Sequence, residues 1–171
     1  YGMKLVVVGV VAAMVIGGGS AKADFFFGEP TNLGPTVNTT SVEEMPSISA
    51  NGLTLYFNSN RPGGSGGFDL WMTKRATEDD PWGQPENLGP VVNRPSREHN
   101  PSISNDELTL YFSSNRSGRW DIRVATRGTK DDPWGSHVTL GFPVGAGFGP
   151  GVPEEGRPRF FIAYLAGGPG V

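Results

Sequence analysis

The chain has 171 residues, a formal net charge of -3, 36% hydrophobic residues and no cysteine. That length suits one domain of ordinary size, and the missing cysteine excludes a disulfide framework, a thiol nucleophile and a thiol-linked lipid anchor. A mildly acidic sequence with no run of basic residues argues against nucleic acid or an anionic membrane surface as the main partner.

Glycine (26) and proline (15) make up about a quarter of the chain, close to the level of low-complexity sequence. Much of this glycine and proline recurs at fixed positions, so it reads as turn punctuation.

From the start of the chain, Lys4 precedes the apolar run Leu5 to Ile16. Small residues follow, then Ala21-Lys22-Ala23 ahead of Asp24. A positive segment, an apolar core and an A-x-A site make residues 1–23 a secretory signal peptide, cut after Ala23. The run is shorter than the roughly 20 residues of a membrane helix, so no span is expected after cleavage. The remaining chain then carries 12 basic and 17 acidic residues.

An internal repeat follows. Residues 27–81 and 82–133 align with one three-residue gap, and 29 of 52 positions are identical. A third start appears at Trp134-Gly135, with Leu140-Gly141 matching Leu33-Gly34 and Leu88-Gly89. Each copy divides into short strands. Ser47-Ile48-Ser49 reads as one, opened by Pro46 and closed by the turn Ala50-Asn51-Gly52. Leu53 to Phe57 alternates, with Leu53, Leu55 and Phe57 on one face and Thr54 and Tyr56 on the other.

Asn60 to Gly67 is a glycine-rich hairpin loop, three residues shorter in the second copy. Phe68, Leu70 and Met72 then share a face, as do Trp120, Ile122 and Val124. A last short strand is expected near Asn32-Leu33-Gly34 and Asn87-Leu88-Gly89, and no helix. Four short antiparallel strands at this period are the unit of a β-propeller blade, and rings of about 4 to 8 blades are usual. The fold class expected is therefore all-β, with about two to three blades of an incomplete propeller over residues 24–141.

The segment P-S-I-S-x-x-x-L-T-L-Y-F-x-S-N-R, with Gly and then Asp69-Leu70 or Asp121-Ile122, resembles the WD-repeat-like propeller repeat of the TolB type. The likeness covers about residues 27–135. It implies a periplasmic or secreted propeller that binds other proteins. The same repeat also serves peptide- or glycan-binding modules and the non-catalytic propeller of some peptidases.

Glu43 and Glu98 match between the copies, just ahead of Pro46 and Pro101, and are followed by Glu44 and His99. In a propeller, the loop entering the innermost strand lies near the central channel, so all four are candidate ligand contacts. For Glu43 and Glu98 repetition favours a turn-capping role instead. Glu44 and His99 differ between copies and are the better candidates for a specific contact. Asn60-Arg61 with Asp69, and Asn115-Arg116 with Asp121, are expected to hold the hairpin loop, through an Arg–Asp pair or an Asp accepting loop N–H bonds.

Residues 63–67 fit G-x-S-x-G, but a nucleophile elbow needs a strand, a turn and a helix, and the second copy deletes the serine. No catalytic residue, metal site or cofactor is expected. Asn58, Asn60, Gly63 and Asp69 lack the ligand count of a calcium loop. His99 and His137 do not match in the repeat. Trp71, Trp82, Trp120 and Trp134 are rings on which a sugar can stack, but Trp82 and Trp134 share one repeat position with Phe27, and that regularity reads as packing. Asn38 and Asn115 head formal glycosylation sequons.

Residues 142–171 lose the motif and form a Gly/Pro-rich tail, with at most one strand at Arg159 to Leu165. Two blades leave faces and edges open to self-association, so a piece of a longer propeller is expected. The function expected is an exported, non-catalytic module for a protein or cell-wall ligand. The alternatives are the propeller portion of an exported hydrolase or lyase and a carbohydrate-binding propeller.

Overall fold

A computed structural model describes residues 5–7, 10–14, 23–27 and 29–143. The rest of residues 1–23, including residues 21–22 of the expected A-x-A site, and residues 28 and 144–171 lie outside the described residues. Near the N-terminus, β1 (Val6–Val7) pairs with β4 (Thr31–Asn32), and β2 (Val10–Met14) pairs with β3 (Ala23–Phe27). Two four-stranded antiparallel sheets follow. The first contains β5 (Glu43–Ile48), β6 (Thr54–Ser59), β7 (Asp69–Lys74) and β8 (Glu86–Asn87) in that order. The second contains β9 (Glu98–Ile103), β10 (Thr109–Ser114), β11 (Asp121–Thr126) and β12 (Val138–Pro143), again in chain order. The described residues are all-β apart from one helical turn, α1 (Gly89–Val92), where the sequence predicts none.

The alternation read in Leu53 to Phe57 is real, but both of its faces are buried. Leu55 and Phe57 enter one core with Val37, Trp71, Trp82 and Leu5. Tyr56 enters the other with Leu70, Val92, Leu110, Phe112 and Trp134, which joins the two sheets. Every residue of β6 is buried. Each large side chain so buried contributes about 1.5–3 kcal/mol. Thr54 and Asn58 are therefore covered by protein rather than water, and hydrogen bonds take the place of solvent: Thr54 N–H donates to Ser49 Oγ at 2.9 Å.

β5 differs from its expected form. It begins at Glu43 and carries Pro46 inside it, where the sequence places a short strand opening after the proline. Pro46 is tolerated because β5 is an edge strand and its register slips between Glu44 and Ser47. The same slip recurs opposite Asn100 and Pro101 in β9. Met45 and Asn100 sit at these slips with φ of 53° and 55°.

One asparagine per copy fastens each unit to what precedes it. Asn93 Oδ1 accepts Leu70 N–H at 2.8 Å and Asn93 Nδ2 donates to Leu70 O at 2.9 Å. Asn38 makes the same two bonds to Leu5, both at 2.9 Å. Asn32 and Asn87 orient these clasps by accepting from their Nδ2 groups, at 2.9 and 2.8 Å. The third start has Thr139 and Gly145 at the two asparagine positions. There β12 runs on as a six-residue strand, whereas β8 stops after two and turns into α1.

Candidate functional site

The two matched glutamates are fully buried and bind their own copies. Glu43 accepts from Thr39 N–H and Oγ1 and from Ser59 Oγ, and pairs with Arg61 at 3.2 Å. Glu98 accepts from Arg94 N–H, Ser96 Oγ and Ser114 Oγ, and pairs with Arg116 at 3.1 Å. Each arginine also caps a carbonyl of the preceding turn, Val37 O or Val92 O. Burial lowers both guanidinium pKa values, and the paired glutamate opposes that shift.

The loop arginines thus pair with glutamate 18 residues upstream, and not with Asp69 or Asp121, the first of the two arrangements expected. Asp69 instead accepts Ser65 N–H at 2.7 Å and Gly66 N–H at 3.3 Å, the second arrangement expected for it. Asp121 accepts from Ser117 Oγ and meets Arg119 at 3.4 Å. Asn60 and Asn115 both accept a backbone N–H, from Val42 and Arg97, at 2.9 Å.

Glu44 and His99, the pair that differs between copies, come together. His99 Nδ1 lies 3.6 Å from Glu44 Oε1, beyond hydrogen-bond length, with both side chains about four-fifths buried. The register slips place them, because a bulge re-aims the side chains beside it. Phe68 stands 4.7 Å from the His99 ring, and Trp120 meets it edge-on at 5.3 Å.

Asn58 Nδ2 donates to Glu44 Oε1 at 3.1 Å, while Asn58 Oδ1 and His99 Nε2 are buried without a protein partner. Each such atom costs about 1–3 kcal/mol unless water or a ligand meets it. Burial holds the His99 pKa below its ordinary 6.5, with Glu44 opposing and Arg97 assisting. The imidazole is therefore neutral near pH 7 and presents one donor and one acceptor. Trp120 is 37% exposed.

The other tryptophans pack. Trp82 and Trp134 are buried under Arg75 and Arg127, each guanidinium 4.5 Å from its ring. Both sequon asparagines are committed to the fold, Asn38 to Leu5 and Asn115 to Arg97. Gly66 and Ser65 belong to a docking loop: Gly67 N–H donates to Ser96 O at 3.0 Å, and a Cβ at Gly66 would collide with that carbonyl.

A second polar group was missed in the sequence. Arg94, Pro95, Ser96, Arg116 and His137 line an open cleft of about 410 Å³ beside the Glu98 corner. The absence of a basic run along the chain hides this cluster, since its members come from a loop, a hairpin and the approach to β12. A position-by-position difference between the copies would have found it. Arg94 and Arg123 of the second copy replace Thr39 and Trp71 of the first, and His137 of the third start replaces Pro85 of the second.

Among the described residues, no three His, Asp or Glu side chains gather as metal ligands, and no helix is long and apolar enough to cross a membrane. No protein-family model matches the chain, and no curated protein matches it in sequence.

Proposed function

We propose that the chain is an exported, TolB-like β-propeller module that binds a protein or cell-envelope ligand without catalysing a reaction. The two four-stranded sheets are then successive blades of a ring that this chain does not close, and residues 1–23 are the signal that sends it to the periplasm or outside the cell. The observation that carries the binding reading is the meeting of Glu44 and His99 beside Phe68 and Trp120. A carboxylate on β5, a neutral imidazole on β9 and an accessible indole just ahead of β11 offer hydrogen bonding and an apolar platform together. Two buried polar atoms there have bonding capacity to spare.

A carbohydrate is favoured as a ligand by one feature, the exposed Trp120 ring set against polar neighbours.

The test is a panel of short peptides and cell-envelope glycans presented to the full chain by biolayer interferometry. The expected result is a ligand whose affinity falls about tenfold or more in Trp120→Ala and in His99→Ala, with the melting of Trp120→Ala unchanged. Binding indifferent to both substitutions, or no binder in either panel, would overturn the reading.

A further inference from the structure

Arg116 is locked on three sides. Its Nη2 meets Glu98 and Val92 O, its Nε donates to Ser114 Oγ at 2.9 Å, and its Nη1 lies 3.0 Å from His137 Nε2. His137 Nδ1 lies 3.1 Å from Val91 O, a partner that can only accept. The network therefore assigns the proton to Nδ1 and leaves Nε2 to accept from Arg116. A neutral His137 agrees with its lowered pKa, caused first by burial and then by Arg116, Arg123 and Arg94.

Glu98, the carboxylate paired with Arg116, is fully buried and already accepts from four donors. It cannot also neutralise Arg94, whose residue is exposed at the cleft rim, or Arg123, which is only 8% exposed with its Nε unpartnered.

The scaffold does not need these charges. In the first copy the same corner carries Thr39 and Trp71, and Arg61 rests over the Trp71 ring at 5.3 Å and the Phe57 ring at 5.0 Å. Phe57 faces Trp71 across β6 and β7, as Phe112 faces Arg123 across β10 and β11. The second copy has exchanged an aromatic filler for a cation, and added another at Arg94, in a chain whose net charge is negative. Arg94 and Arg116 line the cleft, and Arg123 lies close enough to act on Arg116 and His137; these like charges repel each other, and a bound anion would relieve that repulsion.

We propose that the cleft of Arg94, Ser96, Arg116 and His137 is an oxyanion-binding site, with the Arg94 guanidinium as the donor that meets the anion and Arg116 and Arg123 as fixed positive charges behind it. Guanidinium forks suit planar and tetrahedral oxyanions alike. The cleft is wide enough for an anionic group borne on a larger ligand. The site lies on the Glu98 corner and does not depend on the Glu44–His99 reading.

The test is isothermal titration of the full chain with inorganic phosphate and, separately, with glucuronate, at ionic strength fixed by chloride. Saturable binding of either is expected, and the stronger of the two tells a tetrahedral group from a carboxylate. Arg94→Ala should weaken it about tenfold or more. Arg119→Ala removes an equal charge from a side chain 72% exposed outside the cleft and should leave binding within about twofold. No saturable binding of either anion, or equal losses in the two variants, would overturn the proposal.

Discussion

The Glu43–Arg61 and Glu98–Arg116 corners share a skeleton and differ in what surrounds it. Both have a buried carboxylate, a serine on the central strand, an arginine that reaches back to a turn carbonyl, and an asparagine clasp beside it. At the first corner stand Thr39 and Trp71, and at the second Arg94, Arg123 and His137, whose counterpart in sequence one repeat earlier is Pro85. The repeated residues account for how each unit holds together. Arg94, Arg123 and His137 are not required by the shared skeleton, because the first corner forms it without them. Chemistry specific to this chain is therefore to be sought where the copies disagree: at Glu44 and His99, and at the arginine cleft.

The comparison breaks most visibly if the shared skeleton is removed. Glu43→Ala and Glu98→Ala each strand a guanidinium that is about nine-tenths buried. Each is expected to cost about 3–5 kcal/mol in urea unfolding, and the two losses should agree within about 1 kcal/mol. Markedly unequal losses would show that the corners are not equivalent.

The asparagine clasps come next. Asn93→Ala leaves the Leu70 N–H and C=O without their clasp, at a cost of about 1–3 kcal/mol. Asn38→Ala should cost a similar amount in the full chain, because Leu5 occupies that clasp. In a chain lacking residues 1–23 the Asn38 substitution should have almost no effect, while Asn93→Ala keeps its full effect. Melting curves of the four proteins decide this.

The histidines give a pH signature. Burial holds both His99 and His137 below 6.5 in the folded chain, so the unfolded chain takes up more protons as pH falls past that value. Their stabilising contribution is complete well above pH 6.5 and declines below it. Urea unfolding between about pH 8 and about pH 5 should show this loss, and His137→Gln should reduce it. Curves that coincide for the two proteins would contradict the neutral assignment of His137.

The smallest effect concerns one turn. Gly52 and Glu107 hold the same position with φ of 73° and 61°. Glu107→Gly relieves a left-handed conformation that costs about 1–2 kcal/mol and gives up an ion pair to Lys130, whose side chain is 52% exposed. With the Glu107 side chain only 5% exposed, the pair is worth at least the upper part of the about 0–1 kcal/mol of a surface pair. The two effects nearly cancel, and a change of about 1 kcal/mol or less in either direction is expected from thermal unfolding.

Strand pattern and copy number were legible because alternation and repetition are local. Leu55, Phe57 and Tyr56 go to the faces that their spacing gives them. That the Thr54–Tyr56 face would also be buried was not legible, since it depends on the second sheet covering it. The pairing of glutamate with arginine was not legible for a similar reason. Asp69 is nearer to Arg61 in sequence, but a hairpin brings Glu43 opposite Ser59. The meeting of Glu44 with His99 was foreshadowed by their shared repeat position. The arginine cleft had no such sign in spacing, because its members lie on three separate segments.

The claim that the differing positions carry binding while the matching ones carry the fold is tested most directly by rewriting the second corner as the first. Thermal unfolding of Arg94→Thr/Arg123→Trp would be compared with that of the unaltered chain, in phosphate and in chloride at equal ionic strength. The account predicts similar melting of the two proteins in chloride and a phosphate-induced rise in Tm that only the unaltered chain shows. A phosphate response that survives the exchange, or a variant that no longer unfolds cooperatively, would contradict it.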